Sequence, residues 1–89
     1  MDLAEAAAAF AALGDATRLG VVRMLADGER CVCEVQQAFE VAPSLLSYHL
    51  RVLREAGLVE SRRRGRWVDY RLTPGGLAAL RSSIPEVEG

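Results

Sequence analysis

Lysine is absent from this 89-residue chain, and histidine, tryptophan and cysteine are scarce: all eleven basic residues are arginine, beside one His, one Trp and two Cys. One histidine and two sulfurs fall short of a four-coordinate zinc centre. A single His with no carboxylate or nucleophile near it in sequence makes no catalytic constellation, and no cofactor-binding glycine loop is present, so the chain is not expected to be an enzyme or to hold an organic cofactor. Two cysteines are too few for the disulfide framework of a secreted domain. No apolar run approaches the ~20 residues of a membrane-spanning helix. The opening MDLAEAAAAF lacks the basic segment, apolar core and cleavage site of a secretory signal. A cytoplasmic protein with reduced thiols is expected.

Net charge is only −1, but it is unevenly placed. Residues 1–40 carry three arginines against seven acids, and residues 51–71 carry seven arginines against three. The second half therefore favours an anionic partner, and guanidinium groups suit phosphate and guanine.

The length allows one small domain, residues 1–89. A first helix spans about Leu3 to Leu13, with larger apolar groups at Leu3, Phe10 and Leu13. Asp15 can cap a second helix that carries Leu19, Val22 and Leu25 on one face, closed by Gly28. A short third helix runs from about Cys31 to Ala38. A fourth begins at Pro43, suited to a first helical turn, and in PSLLSYHLRVLREAG it places Leu46, Leu50 and Leu53 on a buried stripe. Gly57 ends it. VESRRRGRWVDYRL reads as a two-stranded hairpin with arginines at its tip and Val68, Tyr70 and Leu72 on one face. Thr73-Pro74 can open a fifth helix with Leu77 and Leu80.

The expected class is therefore mainly α with a small β-hairpin: a winged helix-turn-helix of five helices and a two-stranded wing, with residues 31–57 as the helix-turn-helix and 58–72 as the wing. A groove-entering helix must offer short side chains on its N-terminal half plus a few groups that reach base edges. Pro43, Ser44, Ser47 and Tyr48 meet that demand. Arg51, Arg62, Arg63, Arg64 and Arg66 complete the candidate DNA-binding set as phosphate or minor-groove contacts, together with His49, which beside the leucine stripe is expected either to pack half-buried or to contact a phosphate. Ala42 offers no capping side chain, which leaves the first-turn amides open to a phosphate.

Across Phe10 to Leu72, through ALGDATRLGVVRML, the CVCEV helix and LSYHLRVLREAGLVESRRRGRWVDYRL, the chain resembles the ArsR/SmtB metal-responsive repressors of bacteria. The resemblance implies a homodimer joined by its first and last helices, here residues 1–13 and 74–84, which makes Leu3, Phe10, Leu13, Leu77 and Leu80 candidate dimer contacts. It implies operator binding without inducer and release on binding a metal or metalloid. Family base contacts map onto Pro43, Ser44, Ser47 and Tyr48, with Pro43 standing where glutamine is frequent.

Cys31 and Cys33 match the position at which arsenic-, antimony- and some cadmium- or lead-responsive members hold their thiolates, and soft sulfur favours soft acceptors. Arsenite or antimonite, or another soft metal ion, is the inducer the resemblance implies. A third family cysteine falls where this chain has Gln36, so hydroxide or a small thiol would complete the coordination. A disulfide is not expected, because one intervening residue closes a small, strained ring. In a regular helix residues i and i+2 point ~200° apart, so drawing both sulfurs onto one atom would distort the start of the third helix. Two alternatives keep the fold: a thiol-redox or persulfide switch at the same pair, and a winged-helix module that binds protein rather than DNA. A buried, unreactive pair is a third reading of the cysteines.

Overall fold

The structure is a computed structural model that describes residues 1–88. Its elements are α1 (Leu3–Leu13), α2 (Ala16–Leu25), β1 (Arg30–Cys31), α3 (Val32–Ala38), α4 (Pro43–Glu55), β2 (Val59–Arg64), β3 (Trp67–Leu72) and α5 (Gly76–Arg81). The five helices and the hairpin follow the sequence expectation. The sheet differs by one strand: its order is β1-β3-β2, all antiparallel. β1 was not anticipated because two residues carry no alternation for the eye to find.

Each helix start has a visible chemical cause. Asp2 and Glu5 form a capping box at α1, and the Asp15 side chain accepts from the Arg18 amide at α2. At α4, Pro43 occupies the first turn and Ala42 provides no side-chain cap. The C-terminus of α4 closes with paired hydrogen bonds, Leu58 N–H to Leu53 C=O at 3.1 Å and Gly57 N–H to Arg54 C=O at 3.0 Å. Gly57 accepts the required left-handed turn, φ 77°.

The core is built on Leu46, Leu50 and Leu53 of α4, each at most 1% exposed, with Val21, Val35, Leu58 and Val59 around them. α1 packs inward through residues the sequence reading did not single out. It turns Ala6, Ala9 and Ala12 inward, while Leu3 is 88% exposed and Phe10 remains at the surface. Methyl groups allow α1 to lie close against its neighbours, and the bulkier side chains are left outside. Leu19 of α2 is likewise exposed, its expected core place taken by Val21. α5 also begins later than expected: Thr73 and Pro74 form the preceding turn, and the helix covers six residues.

Gly76 fixes where α5 sits. A Cβ at this position would lie 2.8 Å from the Gly57 carbonyl oxygen, a backbone atom that no side-chain rotation can move. Gly76→Ala is therefore expected to destabilise the fold by about 1–3 kcal/mol through overpacking, read as a lower denaturant midpoint with an unchanged m-value.

Candidate nucleic-acid interface and thiol pair

α4 presents Pro43, Ser44, Ser47, Tyr48 and Arg51 on its solvent side, all exposed. The buried leucines occupy the opposite stripe, so helical periodicity alone places these five residues on one outer face. Ser44, Ser47, Tyr48, Arg51 and Arg54 line a groove of about 370 Å³, closed on its inner side by Val32, Leu50 and Tyr70. The Arg51 guanidinium lies 5.6 Å from the centre of the Tyr48 ring, holding both polar ends beside the groove. Arg54, absent from the sequence-derived set, joins this face; its i+3 spacing from Arg51 was the available signal.

His49 takes the packing alternative and not the phosphate contact. It is buried, with Nδ1 3.1 Å from Arg18 Nη1 and Nε2 3.9 Å from Asp15 Oδ2. Arg18 also donates from Nε to the Ala12 carbonyl at 2.7 Å. His49 therefore helps join α4 to the ends of α1 and α2 and faces away from any duplex.

At the wing tip, the four arginines between Arg62 and Arg66 divide into two kinds, while Arg71, farther along β3, pairs with Glu60. Arg62 Nη2 donates to Glu29 Oε2 at 2.7 Å, and Arg64 grips both carboxylate oxygens of Asp69, its Nη2 lying 3.0 Å from Oδ1. Arg63 and Arg66 make no ion pair among the described residues. The Arg66 guanidinium lies 5.5 Å from the centre of the Trp67 ring. Sequence reasoning counted all four as equal because the partners come from Glu29, distant in the chain, and from Asp69, which alternation places on the opposite face from Tyr70.

Asp69 is only 4% exposed. The Arg64 hydrogen bonds hold its carboxyl below the ordinary carboxylate range, and the same contact raises Arg64. Asp15 is lowered chiefly by the Arg18 amide, with lesser contributions from the charges of His49 and Arg18.

Cys31 and Cys33 stand where β1 gives way to α3. Their sulfurs are joined as a disulfide, with Cα atoms 5.3 Å apart. This corrects the expectation of a reduced pair, and the reason is local. Cys31 is the N-cap of α3, with φ −70° and ψ 154°, so it is extended rather than helical and the ~200° separation of a regular helix does not apply. The two sulfurs meet with α3 intact, which also removes the expected distortion of that helix. Cys31 Sγ accepts from the Glu34 amide at 3.3 Å, and Glu34 Oε1 accepts from the Cys31 amide at the same distance. Cys33 is exposed, whereas Cys31 is nearly buried.

In reduced form the pair offers two soft donors side by side, a set that fits a thiophilic acceptor. No group of three His, Cys, Asp or Glu side chains gathers among the described residues, so a four-ligand zinc centre does not fit. Gln36, at the position of the third family cysteine, instead donates from Nε2 to the Val41 carbonyl at 2.7 Å. It clasps the turn between α3 and α4.

The dimer candidates also divide. Phe10, Leu13 and Leu77 line an apolar groove of about 270 Å³ together with Leu19, Val22 and Ile84. Leu80 reaches that groove but is 2% exposed, which makes it a core residue first.

A recognition helix with short polar residues outward, a basic wing beside it and a brace of α2 and α3 behind it define the winged helix-turn-helix class of transcriptional regulators. The profile of the "Bacterial regulatory protein, arsR family" matches residues 15–61, and the chain belongs to that family. It is 47% identical to the arsenical resistance operon repressor of Escherichia coli over 73% of this chain and 56% of that one. It is 44% identical to the transcriptional repressor SmtB homolog of Synechocystis over 86% and 58%. The chain thus spans a little over half the length of these curated relatives. Among solved structures, a possible transcriptional regulator for arsenical resistance superposes with a TM-score of 0.79 at 43% identity, covering 84% of this chain and 78% of that one. The reduced form of HlyU from Vibrio cholerae gives 0.76 at 34%, covering 89% and 84%.

The lowered carboxyls have a pH consequence with a definite sign. Their folded-state values lie below the unfolded ~3.9, so the stability they contribute is present above that value and lost as pH falls through the folded values. Asp15→Asn, which keeps a capping oxygen, is expected to flatten the dependence of the denaturant midpoint on pH between about 5 and 2. The midpoint should fall near neutrality, where the Asp15 charge contributes, and converge with wild type near pH ~2.

Proposed function

We propose that this chain is a homodimeric transcriptional repressor that holds operator DNA in the absence of inducer and releases it when arsenite or antimonite occupies Cys31 and Cys33. The observation that carries the reading is the juxtaposition of the two sulfurs at the entrance to α3, within a winged helix similar to arsenical resistance repressors. It acts in the cytoplasm, as one DNA-binding unit over residues 1–89, and by binding rather than by catalysis. No helix among the described residues is long and apolar enough to cross a membrane.

Ser44, Ser47 and Tyr48 enter the major groove, with Pro43 at the helix tip. Arg51, Arg63 and Arg66 meet phosphates, and Arg62 and Arg64 approach the duplex only as far as their carboxylate partners allow. Leu3, Phe10, Leu13 and Leu77 form the dimer contact, which gives their exposed apolar surface a cover.

Arsenite supplies a soft, oxygen-bearing acceptor for thiolates. Cys31 is the sulfur that couples its capture to the fold, because the same atom caps α3. The cap survives a direct S–S bond, but an arsenic atom bridging the two sulfurs holds them farther apart, so the entrance to α3 shifts. Gln36 carries that change to the turn before α4.

The joined sulfurs favour a second reading, a thiol-redox repressor. Peroxide would take two electrons and two protons from the thiol pair and leave as two waters. The two readings separate when operator release is measured with peroxide alone and with arsenite under reducing conditions. A protein-binding module of the same fold predicts no salt-dependent duplex affinity, whereas a repressor loses affinity steeply with salt.

The decisive measurement is a gel shift on the DNA upstream of the chain's own gene, titrated with arsenite, antimonite, cadmium and zinc. Wild type is expected to bind and to be released by the first two. The double variant Cys31→Ser, Cys33→Ser is expected to bind comparably and to stay bound. Release of that variant by arsenite would place the sensing site elsewhere.

A further inference from the structure

The sheet places the sulfur pair and the wing in one row. Cys31 of β1 stands opposite Asp69 of β3, and Asp69 stands opposite Arg62 of β2. Directly opposed residues of antiparallel strands project to the same face, and residues two apart on one strand share that face. Cys31, Asp69, Arg62 and Arg64 therefore lie together, with Glu29 reaching Arg62 from just before β1. The two wing-tip arginines that are held by carboxylates are held at this row, whereas the Arg71–Glu60 pair lies one register position away.

Building on the repressor reading above, we propose that Asp69 is the positioning residue that transmits the state of the Cys31/Cys33 pair to Arg62 and Arg64 of the wing. Asp69 has little freedom to act otherwise. It is buried, and a buried carboxylate must keep a compensating charge; the Arg64 fork provides it through two parallel hydrogen bonds. A shift of Cys31 along or away from β3 moves the Asp69 backbone with it, and Arg64 must follow its partner or lose it. Glu29, two residues before Cys31, moves Arg62 in the same way. Arg63 and Arg66 have no carboxylate partner among the described residues, so their guanidinium groups are not drawn by the row. The wing tip thus carries two arginines tethered to the thiol pair and two that are not.

Asp69→Asn is the direct test, since it preserves shape while removing the charge that fixes Arg64. Three quantities are read on reduced protein with phenylarsine oxide as the probe: protection of the two thiols from alkylation, operator affinity against salt without the probe, and the probe concentration that releases half the DNA. Thiol protection should match wild type. The salt dependence should steepen by about one phosphate contact, because Arg64 becomes available to the duplex. The release midpoint should rise at least about five-fold, the lower range of allosteric coupling. A purely structural role for Asp69 would lower stability without steepening the salt dependence. Should Asp69→Asn not fold, as judged by its far-ultraviolet circular dichroism, Glu29→Gln takes its place and should shift release in the same direction. A folded variant of either kind with wild-type release overturns the proposal. Wild type that ignores the probe while its thiols are protected overturns the repressor reading itself, and the proposal with it.

Discussion

Two backbone pairs, Arg30 with Tyr70 and Cys31 with Asp69, are the constraint on which the functional architecture depends. They are few, yet they bring the segment before α3 onto the wing and so oblige Cys31 to belong to two elements at once. As the last residue of β1 it is extended, and as the N-cap of α3 it accepts the Glu34 amide. That extended backbone is what lets a second sulfur two residues later approach it. The strand pairing and the N-cap position both call for the same extended backbone at Cys31.

Around this junction the helices divide the apolar residues between interior and exterior. α1 approaches its neighbours through Ala6, Ala9 and Ala12, and the cost of that close approach is that Leu3 and Phe10 remain in water unless a partner covers them. α4 makes the opposite choice, burying its leucines fully and exposing serine, tyrosine and arginine. Arg18 secures the arrangement by bonding to Ala12, to the Asp15 cap through its amide, and to His49. The recognition surface is thus positioned by buried polar contacts as well as by hydrophobic packing.

The helices, the hairpin and the outer face of α4 were legible because their signals are local or periodic: Asp15, Pro43 and Gly57 mark ends, and the leucine stripe marks a face. What escaped reading was non-local. Nothing near Arg64 announces that it is neutralised, since its partner lies across a turn, and Glu29 stands thirty-three positions from Arg62. The larger apolar groups of α1, Leu3, Phe10 and Leu13, show a stripe by their size, but the inward face belongs to Ala6, Ala9 and Ala12, which size does not mark. For His49 the pattern leaves packing and phosphate contact both open, and only the positions of Arg18 and Asp15 decide between them. For the cysteines, the ~200° separation holds only inside a helix, and the strand pairing that leaves Cys31 just outside one is not local.

The absence of a side chain at Gly76 lets the start of α5 sit close against the Gly57 carbonyl at the end of α4. Two chains joined along their final helices would then hold their reading heads as one stiff caliper. A duplex presents equivalent grooves once per helical repeat of ~34 Å, and each inserted base pair adds about 3.4 Å of rise together with about a tenth of a turn. Such a caliper would forgive a changed base in the spacer between half-sites more readily than one added or deleted there.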